Sequence, residues 1–293
     1  MRLPGQRWYT PYLFAAPALV LFGVFFAWPA VTAIQLSFLK YDMISPPPVF
    51  VGGDNFVRML GDDRFWTALL NSFLFLVGLF PLLVVAPLLL AVLVNQKLPG
   101  IRTFRMLYYL PVVTSMVAVG IAWEYVFHQQ GVLNWMLTGA GLLDRPIQYL
   151  LDPDWALPAV ILVEGWKNMG FYMMIYLAGL QTIPESIYEA ARVDGAGPWR
   201  RLRSITVPLL VPYIAVAFTV EMLDAMQAFT SIYVMTRGGP QDTTLTLGYY
   251  IWSAAFERYD MGYASAMGLV LWVLMIGLAI LNYRITRGRT VMA

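Results

Sequence analysis

Apolar residues fall in six long blocks, at about 11–38, 67–94, 106–128, 156–180, 209–233 and 263–283, separated by polar segments rich in proline, glycine and charge. A helix needs about 20 predominantly apolar residues to cross the hydrocarbon core, and each block is long enough. Only a helix or a closed barrel satisfies its backbone hydrogen bonds in lipid, and uninterrupted apolar runs of this length predict helices rather than alternating strands. The expected fold is therefore all-α and polytopic, with six transmembrane helices. One membrane domain is expected over residues 1–293, with neither a repeat at a period of 20 to 50 residues nor a low-complexity linker.

The polar segments give the orientation. Counted on alternate sides, one set holds Arg2, Arg7, Lys97, Arg102, Arg105, Arg192, Arg200, Arg201, Arg203, Arg284, Arg287 and Arg289. The other set holds Lys40, Arg58, Arg64, Arg145, Arg237 and Arg258, and Lys167 falls inside a block. Basic residues accumulate on the cytoplasmic side, so twelve against six predicts both termini inside. The outer segments are longer and acidic, with Asp42, Asp54, Asp62, Asp63, Asp144, Asp152, Asp154, Asp242, Glu257 and Asp260. SPPP at 45–48, DPD at 152–154 and RGGP at 237–240 predict ordered turns. MRLPGQRWYT precedes the first block with no small-residue cleavage site after it, which predicts a retained signal anchor.

Composition agrees: 59% of the 293 residues are hydrophobic and 12% charged, against about 45–50% and 25% in soluble domains. A net charge of +2 without a basic stripe argues against nucleic acid as a partner. With no cysteine and one histidine, His128, a thiolate metal site, a zinc centre and a disulfide are all excluded. The absence of cysteine also leaves the redox compartment undetermined.

The polar segment at 181–208 carries its own local structure. Pro184 and Glu185 suit the first turn of a helix, and Ile187, Ala190 and Ala191 give that helix a narrow apolar stripe. Asp194-Gly195 supplies a turn in which glycine takes the left-handed conformation. A second short helix begins at Pro198, with Trp199, Leu202 and Ile205 along one side and Arg200, Arg201 and Arg203 around it, and Pro208 starts the return to the membrane. Such a helix–turn–helix serves either as a docking element or as a basic loop resting on anionic membrane lipid.

Ionisable residues inside spans are costly and face cavities or partners. Glu164, Trp166, Lys167 and Asn168 stand together as EGWKN in the fourth block, where Glu164 and Lys167, three apart, are placed to pair with each other. Glu221 and Asp224 share a face of the fifth block, repel if both are ionised and titrate as a coupled pair. They bond either to solute hydroxyls or to a neighbouring helix or Gln227. Glu124 and His128 read as interfacial. Met169, Met173, Met174, Trp272 and Met275 read as lipid-facing or packing surface, and Gly165, Gly170, Gly268 and Gly277 as points of close helix approach.

The segment 189–208 resembles the EAA loop of the membrane subunits of ATP-binding-cassette importers: Glu189-Ala190-Ala191, three residues, Gly195, nine residues, then Ile205 and Pro208, with Val207 in place of the usual leucine. LAGLQTIPESIYEAARVDGA at 177–196, RMLYYLP at 105–111, YVMTRGGP at 233–240 and YASAMGLVLW at 263–272 are similar to the carbohydrate branch of that family, the maltose-type permeases. The resemblance implies the type I importer permease fold, in a bacterial or archaeal cytoplasmic (inner) membrane. It implies that 181–208 is a coupling segment seated on a separate ATPase, through Glu189, Ala190, Ala191, Asp194, Gly195, Pro198, Trp199, Ile205 and Pro208. This chain has no GxxxxGK[ST] phosphate loop, so ATP and Mg would act on that partner and no cofactor would bind here. Further implied partners are a second permease subunit, in a heterodimer, two ATPase subunits and an extracytoplasmic binding protein that delivers a sugar or related solute. By the same resemblance Trp166 matches a substrate-contacting tryptophan, while Glu164, Lys167, Asn168, Phe171 and Glu221 hold contact positions with other residue types. With Asp224 these make the expected substrate pathway, open to a disaccharide, a polyol or a phosphorylated compound.

Two other classes compete. A proton-coupled secondary transporter would use Glu221 and Asp224, but inverted repeats and broken helices are not evident in the sequence. An intramembrane enzyme lacks HExxH and GxSxG motifs.

Overall fold

The computed structural model describes residues 9–44, 47–96 and 99–290. Arg2, Arg7 and Lys97 of the basic tally, and Ser45-Pro46 of the SPPP turn, lie outside the described residues. The chain divides into two compact units, one comprising residues up to Asp62 with Ile251–Val270, the other Asp63–Tyr250 with Leu271 onward.

In the first unit an apolar helix runs as Thr10–Phe22, a π-helical turn Gly23–Ala27 and Trp28–Ser37. Phe14, Phe25 and Trp28 are exposed along it, as suits a helix solvated by lipid or by another chain rather than by its own fold. At its C-terminal end, the buried Asn55 amide donates to the carbonyls of Ser37 at 2.9 Å and Leu39 at 3.0 Å, satisfying acceptors that a helix end leaves free. A two-stranded antiparallel ribbon follows, Leu39–Lys40 against Val49–Phe50, with Leu39 opposite Phe50. Asp54–Leu60 forms a short helix, from which Arg58 pairs with Asp260 at 2.6 Å and lies 4.2 Å over the Tyr263 ring. The Tyr263 hydroxyl donates to Asp62 at 2.5 Å.

The second unit contains Asp63–Val94, a continuous helical run with a π-helical turn at Pro81–Val85. It also holds the helix Ala156–Leu180 of 25 residues, about 37 Å long at 1.5 Å per residue. The two approach closely because Gly78 faces Ile161 and Gly165 faces Leu82. Gly170 meets backbone: a Cβ there would lie 2.2 Å from the Tyr108 carbonyl oxygen. Gly268 and Gly277, by contrast, have nothing within 4 Å of an added Cβ among the described residues. Met173 is fully buried, whereas Met174 and Trp272 are exposed.

Among the described residues three helices are long and apolar enough to cross a membrane unbroken: Tyr12–Ser37, Asp63–Val94 and Met261–Thr286. Ala156–Leu180 has the length, but its EGWKN centre lowers its apolarity. Two further stretches are bent. Ile101–Val113 turns by 97° into Met116–Gly139, and Pro198–Leu209 by 69° into Val211–Met226. The first bend falls at Thr114 and Ser115, whose backbones are extended, just after Pro111, which cannot donate to the helical ladder. The stretch 209–233 likewise holds two helices, Val211–Met226 and Thr230–Met235, with non-helical residues between them. Both interruptions fall inside stretches that the apolar pattern presents as single spans, because an apolar run carries no mark of where its backbone ladder opens.

Candidate functional site

Two places in the second unit gather chemistry: a cavity among the helices and the segment 181–208.

The cavity, about 340 Å³ in volume, has an apolar wall of Phe75, Leu79 and Leu83 from the Asp63–Val94 run, with Met116 beside it, and polar walls from three further stretches. The helix Ala156–Leu180 contributes Glu164, Asn168 and Tyr172, a stripe at i, i+4 and i+8 that the helical period puts on one face. Val211–Met226 contributes Glu221 and Asp224, three apart on the next wall. The interruption after Met226 and the start of the following helix contribute Gln227, Phe229 and Ser231. The Asn168 amide donates to the Glu164 carboxylate at 2.8 Å. The pairing of Glu164 with Lys167 does not form: the Lys167 ammonium donates instead to the Val112 carbonyl at 3.4 Å and the Asn168 side-chain oxygen at 3.5 Å. Lys167 thus addresses an acceptor left open where the Ile101–Val113 helix ends. Glu221 is 0% exposed, and neither of its carboxylate oxygens has a hydrogen-bond partner among the described residues, while Asp224 is exposed. Gln227 bonds to the Leu223 carbonyl and the Met275 sulfur, so it does not serve Glu221.

Of the residues expected along a substrate pathway, Glu164, Asn168, Glu221 and Asp224 therefore meet around one space. Trp166, Lys167 and Phe171 do not line it. Trp166 is 43% exposed and packs edge-on against Trp123 with ring centres 5.5 Å apart. Phe171 is exposed and meets Tyr172 edge-on. Tyr172 is absent from the expected set, although its spacing from Glu164 announces it. Phe229 and Ser231 had no such signal, because their position depends on the helix opening at 227–229. Glu124 and His128 line no part of the cavity; His128 is exposed and its Nδ1 accepts from the Gln130 backbone N–H at 3.3 Å.

The segment 181–208 folds as helix, turn and helix. Glu185–Val193 follows Pro184, with the acidic Glu185 in its first turn and Arg192 in its last, complementing the helix dipole at both ends. It closes with Ala196 N–H to Ala191 O at 2.8 Å and Gly195 N–H to Arg192 O at 3.1 Å, the Schellman arrangement, with Gly195 at φ +75. Pro198–Arg201 begins the second helix, which continues through the π-helical turn Leu202–Thr206. The Tyr188 hydroxyl bonds the Thr206 hydroxyl at 3.1 Å and fastens one helix to the other.

Burial divides this segment into a root and a face. Ala191 and Thr206 are buried, Leu202 and Ile205 half-buried. Glu189, Ala190, Asp194, Gly195, Pro198 and Pro208 are exposed, as are Val193 at 88% and Trp199 at 70%. Glu189 and Arg192 approach to 4.0 Å. The exposed face therefore joins two apolar side chains, Val193 and Trp199, to a flanking ion pair and a left-handed glycine turn.

The sequence profile described as "Binding-protein-dependent transport system inner membrane component" matches residues 58–291. The lactose transport system permease protein LacF of Rhizobium radiobacter is 36% identical over 290 residues, spanning 97% of each chain. Among solved structures, a bacterial ABC transporter involved in the import of the acidic polysaccharide alginate is similar at a TM-score of 0.80 and 26% identity, over 95% of both chains. So is the bacterial alginate ABC transporter in complex with an alginate pentasaccharide-bound periplasmic protein, at a TM-score of 0.80 and 26% identity over 95% of this chain and 94% of that one.

Proposed function

The chain belongs to the family of inner membrane components of binding-protein-dependent transport systems, and from that premise we propose that it forms one half of the translocation pathway of an ATP-driven sugar importer. It is a permease subunit and not itself an enzyme. ATP and Mg act on a separate pair of ATPase subunits, two copies of one or two related ones, a second permease subunit completes the pathway, and an extracytoplasmic binding protein delivers the solute. The similar structure that includes an alginate-bound periplasmic protein supports the last partner. A carbohydrate cargo is supported by LacF, named for lactose, and by the alginate transporter.

Six crossings, with both termini inside, are part of the proposal. Three unbroken helices, two bent stretches and the length of Ala156–Leu180 support the count, and the two-to-one excess of basic residues in the inner segments supports the direction.

The observation that carries the reading is the segment 181–208, where the residues of the EAA pattern build a rigid helical elbow with an exposed face. Ala191 and Ile205 root the elbow. Glu189, Ala190, Asp194, Gly195, Pro198, Trp199 and Pro208 present it to the ATPase. ATP binding favours one arrangement of the ATPase pair, and the contact biases the permease between two states by its differential affinity for them. Along the pathway, Glu164, Asn168, Glu221 and Asp224 are supported by their shared cavity, and Trp166 and Phe171 enter by resemblance alone; Lys167, which the resemblance also puts there, turns to a helix end instead.

The absence of cysteine makes a clean test available. A single cysteine at Val193 in the assembled importer is expected to cross-link to the ATPase subunit with a short bifunctional reagent. Labelling of that cysteine without any cross-link would refute the docking role.

A further inference from the structure

The outer segment between the third and fourth blocks is built inside out for a loop in water. Its polar anchor is hidden: the amide of Asn134, 1% exposed, donates to the His128 carbonyl at 3.1 Å and the Ile147 carbonyl at 2.8 Å, and its oxygen accepts the Ile147 N–H at 2.9 Å. Its apolar side chains are shown. On the helix Val132–Gly139, Val132, Trp135 and Met136 are exposed, Trp135 at 75%, and Leu142 is exposed just after it. Water favours the reverse arrangement, and a contiguous apolar patch, unlike a single exposed apolar residue, marks a contact. No Asp, Glu, Lys or Arg stands between Glu124 and Asp144.

Depth, continuity and chemistry say what covers the patch. Leu133 and Leu137 share an apolar cavity of about 290 Å³ with Pro158, Ala159 and Leu162, so the helix stands beside the first two turns of Ala156–Leu180. At about 37 Å, Ala156–Leu180 is longer than the ~30 Å hydrocarbon core and shorter than the ~40–45 Å that includes the headgroups. With its inner end at the segment 181–208, its first turns lie where acyl chains meet headgroups. Val117, Ile121 and Tyr125, exposed at i, i+4 and i+8 on Met116–Phe127, lead an apolar stripe toward the same level. Trp135 and Trp155, both exposed, are of the residue type that collects at that level, an apolar ring with one polar N–H. A protein that docks and leaves is met by a polar rim, whereas here the charges begin only at Asp144.

Resting on the reading of the chain as a six-span permease, we infer that residues 132–142 form a lipid-binding surface seated in the outer leaflet, with Trp135 at headgroup level and acyl chains over Val132, Met136 and Leu142. Having no cation, the surface takes the apolar layer of the bilayer whatever the headgroup charge. It also withdraws this segment from the outer face open to an extracytoplasmic binding protein.

Because the chain has no cysteine, a single nitroxide can report the surroundings of each position. Val132→Cys and Met136→Cys, both at exposed positions, are spin-labelled in the complete importer in vesicles of phosphatidylethanolamine and phosphatidylglycerol. Power-saturation EPR then compares collisions with dissolved oxygen, which concentrates among acyl chains, and with a water-soluble nickel chelate. Oxygen is expected to exceed the chelate several-fold at both sites, with or without the loaded binding protein. Collisions dominated by the chelate would put the segment in water, and a label that neither reagent reaches would show a protein covering it; either result overturns the inference. A control label at Phe25→Cys, exposed midway along Tyr12–Ser37, separates this failure from a wider one. Chelate contact at Phe25 would undo the spans themselves, whereas chelate contact confined to residues 132 and 136 would undo the lipid surface alone. Neither outcome touches the cross-linking test of the ATPase contact.

Discussion

Lys167 reaches across to the Val112 carbonyl at 3.4 Å rather than to Glu164 three residues away on its own helix. The ammonium of the EGWKN cluster thus belongs to a helix end, and the carboxylate belongs to the cavity. That division makes Lys167 a structural cation, and Lys167→Met should lower the stability of the assembled complex by about 1 kcal/mol, the net contribution of such a bond. Its signature is a reduced thermal transition with an unchanged KM for the solute. A raised KM at unchanged stability would move Lys167 into the pathway.

Gly170 permits the contact that holds the same helix end in place. An added Cβ would fall 2.2 Å from the Tyr108 carbonyl oxygen, and backbone cannot yield as a side-chain tip does. Gly170→Ala is expected to destabilise the protein by about 1–3 kcal/mol. Gly268→Ala, with open space around its new Cβ, should be neutral or slightly stabilising through helix propensity. Thermal unfolding of the two variants side by side reads the difference, and equal transitions would show that the helices have room to separate.

Gly195 sits at φ +75 with no atom of the described residues within 4 Å of an added Cβ, so its requirement is conformational rather than steric. Gly195→Leu leaves membrane insertion intact but strains the elbow by about 1–2 kcal/mol. The expected result is loss of binding-protein-stimulated ATP hydrolysis in a fully assembled complex. Normal stimulation would detach the turn from coupling.

Trp166 tests how far the pathway extends beyond the cavity. Its exposed ring rests on Trp123 and shares no wall with Glu221. Trp166→Ala should reduce uptake while the complex assembles normally. Unchanged uptake kinetics would confine the pathway to the cavity side of the helix.

The sequence makes some of this legible. Capping chemistry is local, so Pro184, Gly195 and Pro198 announce the helix, the turn and the second helix before any fold is known. Apolarity likewise locates Ala156–Leu180. Which way Lys167 turns is another matter: an i, i+3 spacing allows a pair with Glu164, but the competing acceptor at Val112 lies 55 residues upstream. The helix openings at Thr114-Ser115 and at 227–229 escape for a related reason. Apolar periodicity reports lipid or core contact, not the continuity of the backbone ladder, so Phe229 and Ser231 reach the cavity only once the opening after Met226 is seen. Glu164 and Tyr172 lie within one helix and share a face by arithmetic alone, whereas their meeting with Glu221 is a tertiary fact.

The most direct test of the account is solute uptake into proteoliposomes holding the complete importer, with ATP inside the same compartment as the ATPase and the loaded binding protein on the opposite side. Uptake is predicted to require ATP and the binding protein and to proceed unchanged when the proton gradient is collapsed. Uptake driven by a proton gradient without ATP, and abolished by Glu221→Gln with Asp224→Asn, would contradict it and make the chain a secondary transporter.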